Sequence, residues 1–510
     1  MAVIEPGFNN PLIQHILALL PAEESIFLVG GAVRDALLQR ASYDLDFVMP
    51  GDALKTARQL GNALGAAYVP LDTERMVARL FLKNPDDPNN TSNNPIKLDF
   101  STFHGPDLLS DLRGRDFTIN AMALDIHQPQ TLLDPMGGAA DLAAKRLRAC
   151  SSTSFIDDPV RILRAVRQAV DFNLKILPET LQLMRQAVDL IPEVSPERLR
   201  DELFRILINS HAVTALRALD QINGMNHILP EVTALKGVEQ SPPHVLDAFN
   251  HTLDMLNRLE TILEVLAPEY IPDKAGNLTL GLVAIRLGRY RQQLAEHLAT
   301  ILNPDRPHRG LLFLAALYHD VGKRDTYSLD EAGKIRFFDH DQHGMKLARK
   351  RGHALRLSNP EIERLTTIVG HHMRPSLLSH PVQAPSRKVV YRFFRDTGPA
   401  GVDICILSLA DVLATYGPTL PQERWARHLD VIRILLEAWW EKHAENVYPL
   451  ALLNGNDLMA ALGLQPGPIV GYLLEAIREA QVIGKVNTRE QAIELARELQ
   501  EEDINKRRAS

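Results

Sequence analysis

Cysteine is almost missing from this sequence: Cys150 and Cys405 are the only two in 510 residues. A disulfide framework is therefore excluded, and a reducing compartment such as the cytoplasm is favoured. The N-terminal stretch Met1–Pro6 has neither the basic segment nor the apolar segment of a signal peptide. We also find no uninterrupted apolar stretch long enough to span a membrane, so we expect a cytoplasmic protein with no membrane partner.

Excess positive charge is missing as well. The net charge is −7, with 56 Lys and Arg against 63 Asp and Glu. A negative net charge is not typical of nucleic-acid-binding proteins. Clustered arginines can still bind nucleic acid, because the net charge says nothing about how charges are distributed. The apolar content of 45% and the length fit an enzyme of about three or four domains.

The pattern of predicted elements changes once along the chain. Residues 1 to about 150 alternate strand-like and helix-like runs, which predicts an α/β head. Within the head, the polar, proline-punctuated segment Asn84–Pro95 predicts a disordered hairpin tip. From about residue 155 nearly everything has helical periodicity, which predicts an all-α remainder.

A glycine pair and a basic residue form the first motif. A short apolar run ends at Gly30 and Gly31, where the backbone can come close to a phosphate. Arg34 follows one helical turn later and can pair with phosphate oxygens. Taken alone, such a glycine pair is more often an ordinary turn.

Alternating carboxylates follow at once. Asp44 and Asp46 flank Leu45 in a strand-like run, so both carboxylates point to one face, and Asp99 in a second alternating strand could add a third. Such oxygen ligands suit Mg²⁺, which also takes ligands from substrate phosphates and can assist phosphoryl displacement. Combined with the glycine motif, the carboxylates predict a site for a magnesium nucleoside triphosphate.

Two further runs complete a set of motifs that occur in a fixed order. Arg115 and Asp116 precede Phe117-Thr-Ile-Asn-Ala121, and Asp158 and Arg161 lie in Asp157-Asp-Pro-Val-Arg-Ile-Leu-Arg-Ala-Val-Arg167. Together with the first two motifs, these runs resemble the bacterial (class II) tRNA nucleotidyltransferases and the related bacterial poly(A) polymerases. The resemblance covers about residues 25 to 210.

The resemblance implies roles for these positions. Asp44 and Asp46 match the catalytic metal ligands, and Gly31 and Arg34 match the nucleotide-binding pair. The segment Pro196–Leu203 matches a helix-stabilising motif.

Two positions depart from the family pattern. Gly114 stands where the family has an arginine, so Arg115 is left beside Asp116 with Arg113 as the expected substitute. Asp157 replaces the usual glutamate.

The run beginning at Asp157 suggests how the protein could select the base of the incoming nucleotide without a nucleic-acid template. Asp158, Arg161, Arg164 and Arg167 recur every three residues and are helix neighbours. An acceptor carboxylate and a donor guanidinium complement the amino group and ring nitrogen of cytosine and adenine, whereas uracil and guanine present the reverse pattern. The resemblance assigns this role to Asp158 and Arg161, and we count Arg164 and Arg167 among the nucleotide-binding residues. In isolation, the same ladder would be a surface salt-bridge series.

A second constellation lies downstream and consists of histidines with carboxylates. Imidazole and carboxylate ligands suit Mn, Fe, Ni or Zn, and the adjacent His-Asp pair resembles the HD phosphohydrolases. The predicted ligands are His251, His319, Asp320, His340, His371, His372 and Asp411. The alternative is a helical scaffold that supports RNA without turnover.

These observations predict an α/β nucleotidyltransferase head with a small mixed sheet over residues 1–150. An all-α neck over 151–235, an HD domain over 236–430 and a helical tRNA-binding tail over 431–510 follow. The expected function is addition of C and A nucleotides to the tRNA 3′ end from CTP and ATP, with a second, phosphohydrolase activity. A-adding, CC-adding and poly(A)-synthesising enzymes remain alternatives, as does a metal-dependent phosphohydrolase whose head senses nucleotide or RNA. The sequence carries no signature of oligomeric state.

Overall fold

The computed structural model describes residues 11–20, 24–40, 42–83, 95–271, 276–379 and 383–509. The predicted hairpin tip at Asn84–Pro95 lies outside them except for Pro95. The chain divides into two compact units, which are Met1–Ile206 with Thr214–Ile228, and Leu207–Val213 with Leu229–Ser510. The first contains the predicted head and most of the predicted neck, and the second contains the rest of the neck with the predicted HD domain and tail.

The described elements up to residue 228 alternate between strand and helix and then become mainly helical. In chain order they are α1 (Pro11–Leu19), β1 (Phe27–Val29), α2 (Gly31–Leu37), β2 (Asp44–Met49), α3 (Ala53–Leu64), β3 (Ala67–Asp72), β4 (Val77–Leu82), β5 (Ile96–Thr102), α4 (Leu108–Arg113), β6 (Ala123–Asp125), β7 (Leu132–Leu133), α5 (Gly138–Ala143), β8 (Arg146–Leu147), α6 (Ser154–Asp157), α7 (Arg161–Asp171), β9 (Lys175–Ile176), α8 (Pro178–Ala187), α9 (Pro196–Leu207), α10 (Ala212–Gln221) and α11 (Gly224–Ile228).

The head is built on one mixed sheet, as predicted. Its strand order is β3-β4-β5-β2-β1-β6-β7, with β2 and β5 parallel and the other neighbours antiparallel. Alternation along β2 buries Leu45 and Phe47, and Phe47 stacks on Phe100 of β5 with ring centroids 5.0 Å apart. Each such buried side chain contributes roughly 1.5–3 kcal/mol. The intervening carboxylates are thereby fixed on the opposite face of the sheet.

The second unit is mainly helical. Its elements are α12 (Pro230–Thr233), α13 (Ala248–Val265), α14 (Leu278–Leu287), α15 (Arg291–Ala299), β10 (Ile301–Asn303), β11 (Arg306–Pro307), α16 (His308–Tyr318), β12 (Tyr327–Leu329), β13 (Ile335–Phe337), α17 (His340–Ala354), α18 (Asn359–His371), α19 (Arg374–Leu378), α20 (Arg387–Thr397), α21 (Ala400–Tyr416), α22 (Gln422–Trp440), α23 (His443–Asn446), α24 (Gly455–Leu462), α25 (Pro468–Val482) and α26 (Arg489–Ala509). Helices α13, α16, α18 and α21 pack together in its core.

One described segment, Ala400–Thr419, which contains helix α21, is long and apolar enough to cross a membrane by length and composition. Asp403 and Asp411 interrupt its apolar run, so the sequence expectation of no uninterrupted apolar stretch of that length holds. Moreover, 78% of the qualifying window is buried inside the protein. The helix is therefore apolar on most sides because other helices surround it, as a core helix must be.

Three two-stranded ribbons depart from the all-helical expectation after residue 155. Strand β9 pairs with β8, β10 pairs with β11, and β12 pairs with β13. The β12–β13 turn is set by Gly333, whose φ is +73°, and by the Asp330 carboxylate, which accepts hydrogen bonds from the backbone N–H groups of Ala332 and Lys334. Strands this short carry too few alternating positions to be recognised in sequence.

The C-terminal helices α24, α25 and α26 form a small hydrophobic core of their own. Leu458, Leu473 and Ile477 are buried in it. The predicted helical tail is therefore confirmed as helical structure, and an ion pair between Arg392 of α20 and Glu479 of α25 links it to the preceding helices.

Candidate active sites

The three predicted carboxylates of the head lie on neighbouring strands. Asp44 and Asp46 are on β2, and Asp99 of β5 is directly paired with Asp46 in the parallel register. The Asp44 side chain is 72% exposed, and the ammonium of Lys97 lies 4.0 Å from it. The sheet therefore brings together all three carboxylates named from the sequence.

The charge on Asp46 is disfavoured in the absence of a cation. Burial raises the pKa of Asp46 from 3.8 to about 6; Arg115 opposes this shift, while Asp99 and Asp44 add to it. A cation bound between the carboxylates would remove this repulsion, so the donor set fits a hard divalent metal such as Mg²⁺.

Asp99 has a partner that the sequence did not indicate. The guanidinium of Arg79, on β4, donates two hydrogen bonds of 2.7 Å to its two carboxylate oxygens. Strand β4 lies next to β5 with Arg79 opposite Asp99, so register places the pair. Arg79 therefore balances part of the negative charge on the face that carries the three carboxylates.

The glycine pair sits against the carboxylates. Gly30 has φ +74°, and a Cβ built there would lie 2.9 Å from Nη1 of Arg115 and 3.3 Å from Oδ2 of Asp46. Gly31 begins α2, and its Cβ would lie 3.4 Å from the Arg34 guanidinium. A side chain at Gly30 would therefore be both strained and crowded at the point where phosphates are expected.

Arg34 is buried and held from three directions. It donates hydrogen bonds to Asn120 at 2.7 Å and Asp35 at 2.8 Å, and it lies over the Phe172 ring at 4.1 Å. Asn120 in turn donates to Asp116 at 2.9 Å. Asn120 was quoted only as part of a motif, yet it connects two of the predicted nucleotide-binding residues.

Arg115 and Asp116 face different partners. Arg115 donates to the buried Asp111 carboxylate over 3.2 Å, whereas Asp116 accepts from Asn120 and, over 3.2 Å, from Arg164. Burial raises the pKa of Asp116, but the charge of Arg164 and the hydrogen bonds outweigh it and leave the pKa lowered. Asp116 is therefore an ionised structural acceptor near neutral pH.

Gly114 contributes its carbonyl oxygen. Arg161 donates to that oxygen over 2.9 Å and to the Ser154 hydroxyl over 2.9 Å. A Cβ at Gly114 would make only ordinary contacts, the nearest at 3.5 Å, so glycine is not required there. Arg113, the expected substitute for the missing arginine, is exposed.

Asp158 and Arg161 each retain one unused polar atom. Arg198 of α9 donates to Oδ2 of Asp158 over 2.6 Å, and Nε of Arg161 lies 3.8 Å from the same oxygen. Oδ1 of Asp158 and Nε of Arg161 are both buried, with no hydrogen-bond partner among the described residues. One acceptor and one donor are therefore left side by side, and each has an unmet hydrogen bond.

Arg164 and Arg167 are engaged inside the protein. Both donate to the buried Glu202 carboxylate, over 3.3 Å and 2.9 Å, and Arg167 also bonds Asp171 over 3.2 Å. Glu202 lies on α9 within the segment matched to the helix-stabilising motif. These two arginines therefore tie α7 to α9, and a contact with nucleotide remains a prediction for them.

In the second unit, Asp320 lies between two pairs of histidines. Its Oδ2 is 3.0 Å from Nε2 of His319 and 3.6 Å from that of His251, while its Oδ1 is 3.4 Å from Nε2 of His340 and 3.9 Å from that of His372. The potential ligand atoms within each group of three lie within 4.8 Å of one another. This arrangement offers two overlapping metal positions with one shared carboxylate.

Backbone carbonyls orient three of these rings. Nδ1 of His319, His340 and His372 is paired with the carbonyl oxygen three residues earlier, at 2.8, 2.9 and 2.7 Å. With Nδ1 donating, each Nε2 faces Asp320 and would offer its lone pair to a metal ion bound there. Burial is the main reason that the pKa of His372 falls to about 4, so this ring is neutral near pH 7.

Unmet hydrogen bonds show that the cluster fits a metal ion. Both ring nitrogens of His251 and Nε2 of His319 are buried and make no well-directed hydrogen bond in the described chain, although carboxylate oxygens lie 3.0–3.6 Å from the two Nε2 atoms. Asp411 completes the set, with Oδ1 3.2 Å from Nε2 of His251. Burial raises the pKa of Asp320, but His319 and Lys323 outweigh it and hold the pKa well below its usual range.

His371 does not join the cluster, which corrects the prediction that both adjacent histidines are ligands. It ends α18, only half-buried, and the charges that act on it are those of Arg374, Asp396 and Asp341. Successive helical residues point about 100° apart, so only His372 turns toward Asp320.

Two residues beside the cluster were missed by sequence reasoning. The buried Lys323 donates to Asp320 over 2.7 Å and to Gln240 over 2.6 Å, and its signal was its position three residues after the His-Asp pair. The His244 ring lies 5.3 Å from that of His251 and follows Pro242-Pro243, which sequence reading treated only as a break. A cavity of about 370 Å³ opens over the cluster, and Lys323 and His244 both line it.

Four protein-family models match successive parts of the chain. The poly A polymerase head domain matches residues 26–148, and the probable RNA and SrmB-binding site of polymerase A matches 173–236. The HD domain matches 285–416, and the putative tRNA nucleotidyltransferase domain 2 matches 448–496.

Known proteins are similar over nearly the whole chain. An A-adding tRNA nucleotidyltransferase of Deinococcus radiodurans is 33% identical over 93% of this chain and 95% of that protein. A CC-adding tRNA nucleotidyltransferase of Geobacter sulfurreducens is 32% identical over 91% of this chain and 90% of that protein. A solved CCA-adding enzyme in complex with CTP shares the fold, with a TM-score of 0.58, 23% identity and coverage of 96% and 95% of the two chains.

Proposed function

Because the chain belongs to the family of bacterial tRNA nucleotidyltransferases, we propose that it adds C and A nucleotides to the 3′ end of tRNA from CTP and ATP, without a nucleic-acid template. The observation that carries the proposal is the pairing of two sites in the first unit. One gathers Asp44, Asp46 and Asp99 beside Gly30, and the other leaves an acceptor on Asp158 beside a donor on Arg161.

The first site supports phosphoryl transfer. Asp44 and Asp46 would hold Mg²⁺, which supplies charge stabilisation to the reacting phosphates. Gly30 and Gly31 leave room for the triphosphate, and Arg34 and Arg115 supply positive charge around it. The RNA 3′-hydroxyl attacks the α-phosphate, a new P–O bond forms, and pyrophosphate leaves.

The second site supports base selection. Oδ1 of Asp158 can accept from the amino group of cytosine or adenine, and Nε of Arg161 can donate to the neighbouring ring nitrogen. Uracil and guanine place a carbonyl oxygen and an N–H at these positions, so both protein groups would stay unpaired. Leaving a buried polar group unsatisfied costs about 1–3 kcal/mol, which disfavours both bases.

Incorporation of labelled CTP and ATP tests the proposal with tRNA transcripts that lack CCA, end in C, or end in CC. Extension of all three to a complete CCA end is the expected result. Extension of only the CC-ended transcript would assign A addition, and products that stop at CC would assign CC addition. Long tails on any RNA would assign poly(A) synthesis.

A-only or CC-only addition is the second candidate function. One observation favours it: relatives that match over nearly the whole chain include an A-adding and a CC-adding enzyme. The same transcripts decide between this candidate and complete CCA addition, because each activity leaves a product of different length.

We also propose a metal-dependent phosphohydrolase activity in the second unit. His251, His319, Asp320, His340, His372 and Asp411 would hold one or two divalent ions. Nitrogen-rich ligands of this kind suit Mn, Fe, Ni or Zn, which would supply an activated water. In the reaction, water adds to phosphorus and the P–O bond to the alcohol breaks.

Metal analysis of the purified protein, combined with hydrolysis of 2′,3′-cyclic nucleotides, tests this second activity. Bound transition metal and hydrolysis that survives in an Asp44→Ala, Asp46→Ala double variant are expected. No bound transition metal and no hydrolysis would remove the second activity while leaving nucleotide addition intact. The two free cysteines fit the further proposal of a cytoplasmic location.

A further inference from the structure

Positively charged side chains line the cavity over the histidine cluster. Four cationic side chains contribute to it: Lys323, Lys334, Arg336 and Arg424. The carboxylates in the same lining, Asp320 and Asp411, belong to the candidate metal ligands. Once ions occupy those carboxylates, the cavity presents a strongly positive surface.

Two of the four cations are already engaged. The Lys323 ammonium donates to Asp320 and Gln240, and the Arg336 guanidinium donates to Asp330 over 2.9 Å. Their charges are therefore partly balanced within the protein, and their first role is to hold the cluster and the β12–β13 turn.

Lys334 and Arg424 differ from them. Neither has an ion-pair partner among the residues that the structure describes. Lys334 stands at the end of the β12–β13 turn, where Asp330 accepts from its backbone N–H over 2.9 Å. Arg424 of α22 lies over the Tyr416 ring at 5.1 Å, and Tyr416 also lines the cavity. Contact with an aromatic face positions a guanidinium without neutralising it.

A third polar group in the lining is unsatisfied. The Ser376 hydroxyl oxygen is buried and has no hydrogen-bond partner in the described chain. Apolar side chains, among them Phe337, Met373 and Val412, form the rest of the wall. A ligand with an anionic head and a flat apolar body would satisfy both kinds of surface.

We infer that Lys334 and Arg424 bind the phosphoryl group of a nucleotide ester in this cavity, with the Ser376 hydroxyl as an additional donor. The inference rests on the proposed phosphohydrolase activity for the reaction that follows binding, whereas anion binding itself does not depend on it. The two residues come from a turn and a helix that are far apart in sequence, so only the fold brings them to one site.

Full-length variants Lys334→Gln and Arg424→Gln test the inference, with Lys350→Gln on the exposed side of α17 as a matched control. Binding of inorganic phosphate, measured by calorimetry, should weaken about tenfold in each cavity variant and stay unchanged in the control. For 2′,3′-cyclic AMP, KM should rise about tenfold while kcat and metal content stay the same. Charge-assisted hydrogen bonds of this kind account for about that factor.

The outcomes separate the inference from the proposed activity. One outcome is that phosphate binding depends on Lys334 and Arg424 while the protein hydrolyses no substrate. This outcome would support the inference and exclude the proposed phosphohydrolase activity. Hydrolysis with unchanged phosphate affinity and KM in both variants would overturn the inference alone. Displacement of phosphate by AMP would identify a free nucleotide as ligand, and displacement by tRNA would identify an RNA end. Displacement by neither would overturn the nucleotide assignment.

Discussion

The carboxylate of Asp46 lies where burial and two neighbouring carboxylates disfavour its negative charge. Its pKa is raised from 3.8 to about 6, so the folded state binds the proton more tightly than the unfolded state does. The resulting loss of stability begins as the pH rises past about 3.8 and is complete above about 6. Asp46 therefore lowers the stability of the metal-free protein near neutral pH.

We predict that Mg²⁺ raises the melting temperature more at pH 8 than at pH 5. At the higher pH the cation relieves repulsion among ionised carboxylates, whereas at the lower pH a proton competes for Asp46. Thermal unfolding with and without Mg²⁺ measures both shifts, and Asp46→Asn should lose most of the pH dependence. Equal shifts at the two pH values would contradict the prediction.

Arg198 is predicted to support base selection without contacting the base. It holds Oδ2 of Asp158, so Arg198→Ala should free that carboxylate and reduce discrimination against UTP and GTP by about 10- to 100-fold, as expected for a charged hydrogen bond. Ratios of kcat/KM for the four nucleotides measure the effect. The exposed Arg185→Ala provides a control, and selection that survives intact in Arg198→Ala would exclude the positioning role.

At the scale of elements, sequence and structure agree where a pattern repeats. Strand β2 was predictable because Leu45 and Phe47 alternate with Asp44 and Asp46, and that alternation decides which face carries the carboxylates. The pairing of Arg79 with Asp99 was not predictable, because it depends on the register between two separate strands. His371 was misassigned because adjacency in sequence does not give direction around a helix.

Helices α7 and α9 are predicted to depend on Glu202 for their attachment. Glu202→Gln should lower the free energy of unfolding by about 3 kcal/mol, because it leaves Arg164 and Arg167 without the buried charge that both contact. Urea unfolding monitored by circular dichroism measures the loss. Glu193→Gln, at an exposed position, serves as the control; a loss of equal size there would show that Glu202 has no special part.

At the scale of the whole molecule, two compact units carry two different sets of candidate metal ligands. The first offers carboxylate oxygens and the second mainly imidazole nitrogens, so they favour different metals. The residue types in the sequence already indicated this difference. The position of Asp320 between two pairs of histidines could be seen only in the folded structure.

We predict that the two activities respond differently to metal replacement. After chelation, Mg²⁺ alone should restore nucleotide addition, while hydrolysis should return only with a transition metal. Asp320→Asn should abolish transition-metal binding, measured by elemental analysis, and leave incorporation of CTP and ATP within about twofold of the parent. Loss of incorporation in a folded Asp320→Asn protein would show that the activities are not separable.

The double attachment at Glu202 has a consequence for how this family changes over evolutionary time. A single carboxylate accepts from two arginines three residues apart, so its loss removes one ion pair from each of them, and the loss of either arginine leaves the carboxylate with less compensation. Positions 164, 167 and 202 should therefore be inherited as a linked set among relatives. An alignment should show them retained together or replaced together, whereas Gly114, which contributes only a backbone carbonyl to Arg161, is free to drift.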